Sequence, residues 1–176
     1  MRAGAKPTLG ALNACDRDAF VGALGHLFEH SPWVAEETFG LRPFASLDAL
    51  HGALCATMRG APAERQLALV RAHPDLAGRL AQAGALTAAS TGEQAAAGLD
   101  RLTPAEAAEI QRLNDAYKGR FGFPFVICAR LNAKDTIVAA MRSRLGNSPE
   151  AELSTALGEI AKIARLRLND AVTKEN

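Results

Sequence analysis

Apolar residues recur along this chain at spacings of three and four over most of its length. Phe20, Leu24, Leu27 and Phe28 fall on one helical face, with Asp16 placed to cap it. Ser31-Pro32 reads as a cap followed by proline at the first helical position, ahead of Trp33, Val34 and Phe39. Ser46 precedes Leu47, Leu50, Leu54 and Met58, and Ala61-Pro62 precedes Leu67, Leu69 and Val70. Thr103-Pro104-Ala105-Glu106 has the form of a capping box before Ile110, Leu113 and Tyr117. Ser148-Pro149-Glu150 opens a final helix with Leu153, Leu157, Ile160, Ile163 or Ala164, and Leu168 on its apolar face. No window alternates apolar and polar residues between turn signals, so no sheet is expected. The pattern predicts an all-α, single-domain helical bundle of about seven to nine helices. Residues 1–12 read as a loose arm, 13–172 as the helical domain and 173–176 as a tail.

Two segments break the helical pattern. His73-Pro74-Asp75-Leu76-Ala77-Gly78 places an imidazole immediately before a proline. Pro74 confines His73 to extended backbone and ends any helix before it, so the ring sits at a corner. Asp75 is placed to cap a following helix that includes Leu76 and Leu80. The second segment runs Phe121-Gly122-Phe123-Pro124-Phe125-Val126-Ile127-Cys128-Ala129-Arg130. Its residue types favour a strand. A lone strand has no partner for its N–H and C=O groups, however, and buried orphans are costly. We expect an irregular extended segment at 121–130, threaded between helices, with some amides left for a ligand. The plainer alternative is a buried linker that only plugs the core. Between these segments, residues 84–100 are rich in Ala, Gly, Thr and Ser and suit a short helix between loops.

Composition narrows the function classes. Net charge is +1 over 176 residues, with Lys and Arg scattered, so there is no nucleic-acid footprint. No apolar run is long enough to span a bilayer. The first ten residues lack the apolar core of a secretory signal. Cys15, Cys55 and Cys128 are three in number and never at C-x-x-C spacing. Neither a disulfide framework nor a zinc site is expected, and a reducing cytoplasm fits. Cys128 lies in an apolar run, which should raise its pKa and leave it inert.

Candidate chemistry is confined to a few positions. His26 and His30 are four apart with Glu29 between them, which permits a metal-dependent hydrolase, but no third ligand stands at a recognisable spacing. His51 has no evident partner. Ser90-Thr91-Gly92-Glu93-Gln94 gathers hydroxyls, a carboxylate and an amide. Read locally, Ser90-x-x-Glu93 is equally a capping box. There is no Walker loop and no G-x-G-x-x-G. A proton carrier at a corner, an apolar wall and the fixed cation of Arg130 are suited to binding a small planar anion and moving a proton on it. The rival is a helical binding module whose apolar run docks a peptide, with residues 121–125 exposed.

Taken in order, the motifs resemble the 2-oxo-4-hydroxy-4-carboxy-5-ureidoimidazoline (OHCU) decarboxylase family. They are H-P-D-L-A-G from His73, L-T at Leu86-Thr87, S-x-x-E-Q at 90–94, A-G-L at 97–99, L-T at Leu102-Thr103, L-N-x-x-Y at 113–117 and F-G-F-P-F-V-I-C-A-R at 121–130. Arg142 to Arg144 with Asn147 and Glu152 also fit, and the likeness spans roughly residues 16–172. Ala89 stands where a Glu is expected. The resemblance implies an all-α enzyme, usually a homodimer, with no metal or organic cofactor. It would release CO2 from OHCU to give (S)-allantoin. By position, the resemblance makes His73 the catalytic histidine and Glu93 the functional carboxylate. It makes Pro74, Ser90, Thr91, Gly92, Glu93 and Gln94 substrate contacts. Phe125, Val126, Ile127, Cys128 and Ala129 would hold the ring, partly through main chain, with Arg130 at the end of that stretch. Phe123, Phe125 and Ile127 are expected as apolar walls.

Overall fold

The computed structural model describes residues 6–78, 84 and 86–173. Among the described residues there are nine α-helices and no strand. In chain order they are α1 (Leu9–Ala14), α2 (Arg17–Leu24), α3 (Trp33–Thr38), α4 (Leu47–Gly60), α5 (Ala63–Arg71), α6 (Ala88–Ala96), α7 (Pro104–Phe121), α8 (Lys134–Arg144) and α9 (Pro149–Ala171). Three short 3-10 turns add Gly25–Leu27, Phe39–Leu41 and Ala129–Leu131. The all-α expectation holds. By internal contacts the chain divides into two compact units, Met1–Leu69 with Ala161–Asn176, and Val70–Ile160.

The first unit is built by caps and apolar faces that are legible locally. The Asp16 side chain accepts the Ala19 amide at 2.8 Å, and Phe20, Leu24, Leu27 and Phe28 are all buried. Ser46 caps α4 the same way, at 3.0 Å from the Ala49 amide. Ser31 does not act as foreseen. Pro32 occupies the N-cap position of α3 with no side-chain cap, and Ser31 offers its carbonyl to the Val34 amide at 3.3 Å. The arm expected over residues 1–12 is helical from Leu9, with Thr8 as its cap and Leu12 only 1% exposed. The reason is Arg42. Its Nη1 donates to the carbonyls of Leu12, Asn13 and Cys15 at 3.2, 3.2 and 2.7 Å, and its guanidinium lies 3.6 Å from the Phe39 ring centre. A cation thereby satisfies the open carbonyls at the end of α1. Thr173, read as tail, donates its amide to the Pro7 carbonyl at 2.9 Å.

The second unit is organised on α7. Its capping box is complete: Thr103 Oγ1 accepts the Glu106 amide at 3.2 Å and Glu106 Oε2 accepts the Thr103 amide at 2.8 Å. The helix ends at Gly122, whose φ of 74° is left-handed and suits glycine. Ile110, Leu113 and Tyr117 form the buried face. Around Tyr117 lie Phe121, Phe123 and Phe125, with ring centres 4.6, 5.9 and 5.2 Å away. The Tyr117 hydroxyl donates to Glu152 of α9, a carboxylate that is 0% exposed. Arg144 Nε and Asn147 Nδ2 donate to the same carboxylate at 2.7 and 2.8 Å.

A buried carboxylate stripped of its partners costs about 3–5 kcal/mol, as does a buried cation. Removing Glu152 strands Arg144, whose side chain is 11% exposed. Glu152→Ala should therefore lower the unfolding free energy by about 3–5 kcal/mol in urea denaturation; a loss under about 1 kcal/mol would mean the network is incidental. Burial, then the Glu152 hydrogen bond and charge, push the Tyr117 phenol well above its ordinary value of 10.0. The unfolded phenol therefore ionises first, so this stability is present below pH 10 and lost as pH rises beyond it. The chain has one Tyr, so tyrosinate absorbance reads this residue alone. It should rise only with unfolding, and Tyr117→Phe should flatten the alkaline loss. Ionisation near pH 10 in folded protein would contradict the burial account.

Candidate functional site

His73 lies just beyond the end of α5, 7% exposed, with its amide donating to the Val70 carbonyl at 3.2 Å. The turn that follows is held from Asp75 to Gly78. Asp75 does not cap a helix over Leu76. Its carboxylate pairs with Lys118 of α7 at 2.7 Å, and Leu76 and Ala77 form a turn; Leu80 lies outside the described residues. The Leu76 carbonyl accepts from Asn114 Nδ2 at 2.9 Å. Ala77 has φ of 47°, a strained value for alanine, and its amide donates to Gln94 Oε1 at 2.8 Å. At Gly78 an added Cβ would meet Asp75 Cβ at 2.6 Å, so the turn closes too tightly for any side chain. Arg71 Nε donates to the Gly122 carbonyl at 3.0 Å, which ties the end of α5 to the end of α7.

Helix α6 supplies the second part. Its cap is Thr87, whose hydroxyl accepts the Ser90 amide at 3.2 Å, so the capping-box reading of Ser90 and Glu93 is displaced by one turn. Glu93 sits inside the helix, half-buried, away from the cap position. Ser90 and Gln94 are buried one turn apart, while Thr91 and Gly92 lie on the exposed face. Gln94 clamps the histidine turn from this helix: besides the Ala77 amide it reaches the Asp75 carbonyl through Nε2 at 3.5 Å.

Helix α6 also packs on the 3-10 turn Ala129–Leu131, which closes the third part. Residues 124–128 are irregular, as expected, between the α7 cap and that turn. Phe123, Pro124, Phe125, Val126, Ile127, Cys128 and Ala129 are all buried, which removes the peptide-docking alternative with its exposed aromatics. Phe123 and Phe125 do not stand as free walls. Their rings pack on Tyr117, and the Arg144 guanidinium lies 4.3 Å from the Phe125 ring centre. Main-chain groups here are partly taken by the protein. Val126 carbonyl accepts from Arg144 Nη1 at 2.9 Å, and the Cys128 amide donates to Glu159 Oε2 at 2.9 Å. Cys128 carbonyl accepts from Asn132 Nδ2 and from the Leu131 amide, each at 3.0 Å. Among the described residues, the amide and carbonyl of Ile127 make no hydrogen bond. Burial, then the charges of Glu159 and Glu93, push the Cys128 thiol up, which disfavours the thiolate. The same field puts the Glu93 carboxylate within electrostatic reach of this stretch. Arg130 is exposed at its end.

His73, Ser90, Glu93, Gln94 and the 125–129 stretch all belong to the unit Val70–Ile160, where Gln94 holds the turn after His73 and α6 packs on the turn after Cys128. Sequence reasoning gave no role to Asn114, quoted only within the L-N-x-x-Y motif, or to Asn132, Lys118 and Glu159, the last two with partners far away in sequence. His26 and His30 do not form a helical pair, because α2 ends at Leu24 and the chain leaves the 3-10 turn at Phe28. Glu29 pairs with Arg167 at 3.0 Å, and the same cation, after burial, holds the His26 pKa down. A dication would meet that field. Among the described residues, no cluster of three or more His, Cys, Asp or Glu can hold a metal. No described helix is long and apolar enough to cross a membrane.

A family model described as OHCU decarboxylase matches residues 13–169. The 2-oxo-4-hydroxy-4-carboxy-5-ureidoimidazoline decarboxylase of Haloferax volcanii is 45% identical over 168 residues, 96% of this chain and 98% of that protein. Its namesake from Mus musculus is 43% identical, across 90% of this chain and 89% of that protein. A crystal structure of (S)-allantoin synthase superposes with a TM-score of 0.76 at 28% identity, over 97% of this chain; the chain spans 55% of that longer one.

The clash at Gly78 makes one outcome specific. Gly78→Ala should destabilise the protein by about 1–3 kcal/mol, the usual cost of overpacking. Faster amide exchange confined to residues 73–78 should accompany it; unchanged stability would show that the turn has room to spare.

Proposed function

The chain belongs to the OHCU decarboxylase family, and from that premise we propose that it converts OHCU to (S)-allantoin and CO2 in urate degradation, with His73 as the proton carrier. One observation supports the assignment of roles. Gln94, next to Glu93 on α6, ties down the turn that starts at His73, and α6 packs on the turn that ends the 125–129 stretch. Two segments far apart in sequence are thereby referenced to one short helix.

The chemistry suits these residue types. The substrate carboxylate adjoins a carbon–nitrogen double bond. When CO2 leaves, its bonding pair flows into that bond, so the substrate is its own electron sink and no pyridoxal or thiamine is required. One proton must then reach one face of the carbon. An imidazole at a buried corner can take the proton of the 4-hydroxyl or return one to the enol-like intermediate. Glu93 orients the hydroxyl or the ureido group. Main chain of the 125–129 stretch pairs with the planar ring amides, and its buried setting favours a transition state whose charge is more dispersed than a carboxylate's. Pro74, Ser90 and Gln94 complete the contacts, with Arg130 at the rim. We read the active protein as a cytoplasmic homodimer that works without metal or organic cofactor.

The test is turnover of freshly generated OHCU, followed by circular dichroism against the spontaneous, racemic background. His73→Gln should lose at least ~10²-fold in rate with helical content intact, and near-normal activity would exclude it as the proton carrier. Glu93→Ala should lose a comparable factor; if only thermal stability falls, Glu93 is structural.

A further inference from the structure

We propose that Glu159 is a positioning residue for this site: with Asn132 it clamps the main chain on both sides of Cys128, fixing the ring-holding stretch before substrate arrives. The inference rests on the function proposed above, which gives residues 125–129 to the substrate ring.

A buried irregular stretch has no ladder to set the orientation of its peptides. Side chains must do it. Here the Cys128 amide donates to Glu159 Oε2 at 2.9 Å, and the carbonyl of the same residue accepts from Asn132 Nδ2 at 3.0 Å. A bond to a charged acceptor is roughly twice as strong as a neutral one. Two residues earlier, the Val126 carbonyl is held by Arg144 at 2.9 Å. Ile127 therefore lies between two anchored neighbours, and the direction of its own amide and carbonyl follows from theirs. Glu159 and Glu152 are two turns apart on α9, on one face. Glu152 reaches the stretch through Arg144, and Glu159 reaches it directly. One helix thus grips the stretch at two points, one of them Glu159. The carboxylate need not touch the substrate. Its effect is transmitted through the main chain it aims.

Loss of that aim weakens ground state and transition state alike, which appears in KM rather than kcat. Glu159→Ala should raise KM for OHCU at least ~10-fold with kcat within ~3-fold of wild type. Glu159→Gln, whose amide oxygen can still accept from Cys128, should recover most of the loss. Exchange of the Cys128 amide should quicken in the Ala variant and not in the Gln variant. An unchanged KM in Glu159→Ala, or a Gln variant as impaired as Ala, overturns the proposal. Should Glu159→Ala fail to fold, Asn132→Ala carries the test, with the same rise in KM expected and an unchanged KM overturning it. Wild-type protein that leaves the spontaneous rate of OHCU decay unaltered overturns the proposed function and this inference with it. Active wild type with indifferent variants overturns the inference alone.

Discussion

A carboxylate with no access to water constrains the second unit. Glu152 must be given donors, because a desolvated charge costs several kcal/mol when left unpaired. The donors come from three places: Tyr117 on α7, Arg144 at the end of α8 and Asn147 in the turn before α9. None of these elements can shift without stranding the charge. Arg144 then carries the constraint onward, to the Val126 carbonyl and to the face of the Phe125 ring. A stretch without regular structure is thereby anchored by side chains.

Helix α7 is the common reference. Tyr117 commits it to the carboxylate network, and Asn114 and Lys118 commit it to the turn after His73. The turn after His73 and the 123–126 stretch are therefore both referenced to one helix. Helix α6 supplies a second link, through Gln94 on one side and packing on Ala129–Leu131 on the other. Proton transfer and ring binding both depend on placement to within fractions of an ångström. The proposed roles of both would draw on that shared mounting.

Features whose physics is local were legible in the sequence. Asp16, Ser46 and Thr103 cap the helices they precede, because cap and acceptor lie within three residues. Phe20, Leu50, Ile110 and Leu157 are buried where the 3.6-residue period put them. The local readings fail where two fit equally well. The sequence pointed to Ser90 as a cap, whereas Thr87 caps the helix and Ser90 lies inside it. Residues 9–12 lacked a visible reason to be ordered, because Arg42 supplies it from some thirty residues away.

The sequence alone determined the all-α class, most helix starts, the corner at His73 and the irregularity of 124–128, since each follows from backbone preferences within a few residues. Its ordered motifs also marked the family to which the chain belongs. Only the tertiary structure decided what those residues do to one another. It assigned Phe123 and Phe125 to Tyr117, Asp75 to Lys118 and the Cys128 amide to Glu159. The reason is that a hydrogen bond between side chains and main chain far apart in sequence has no local free-energy signature. Its partner is fixed by how the helices pack.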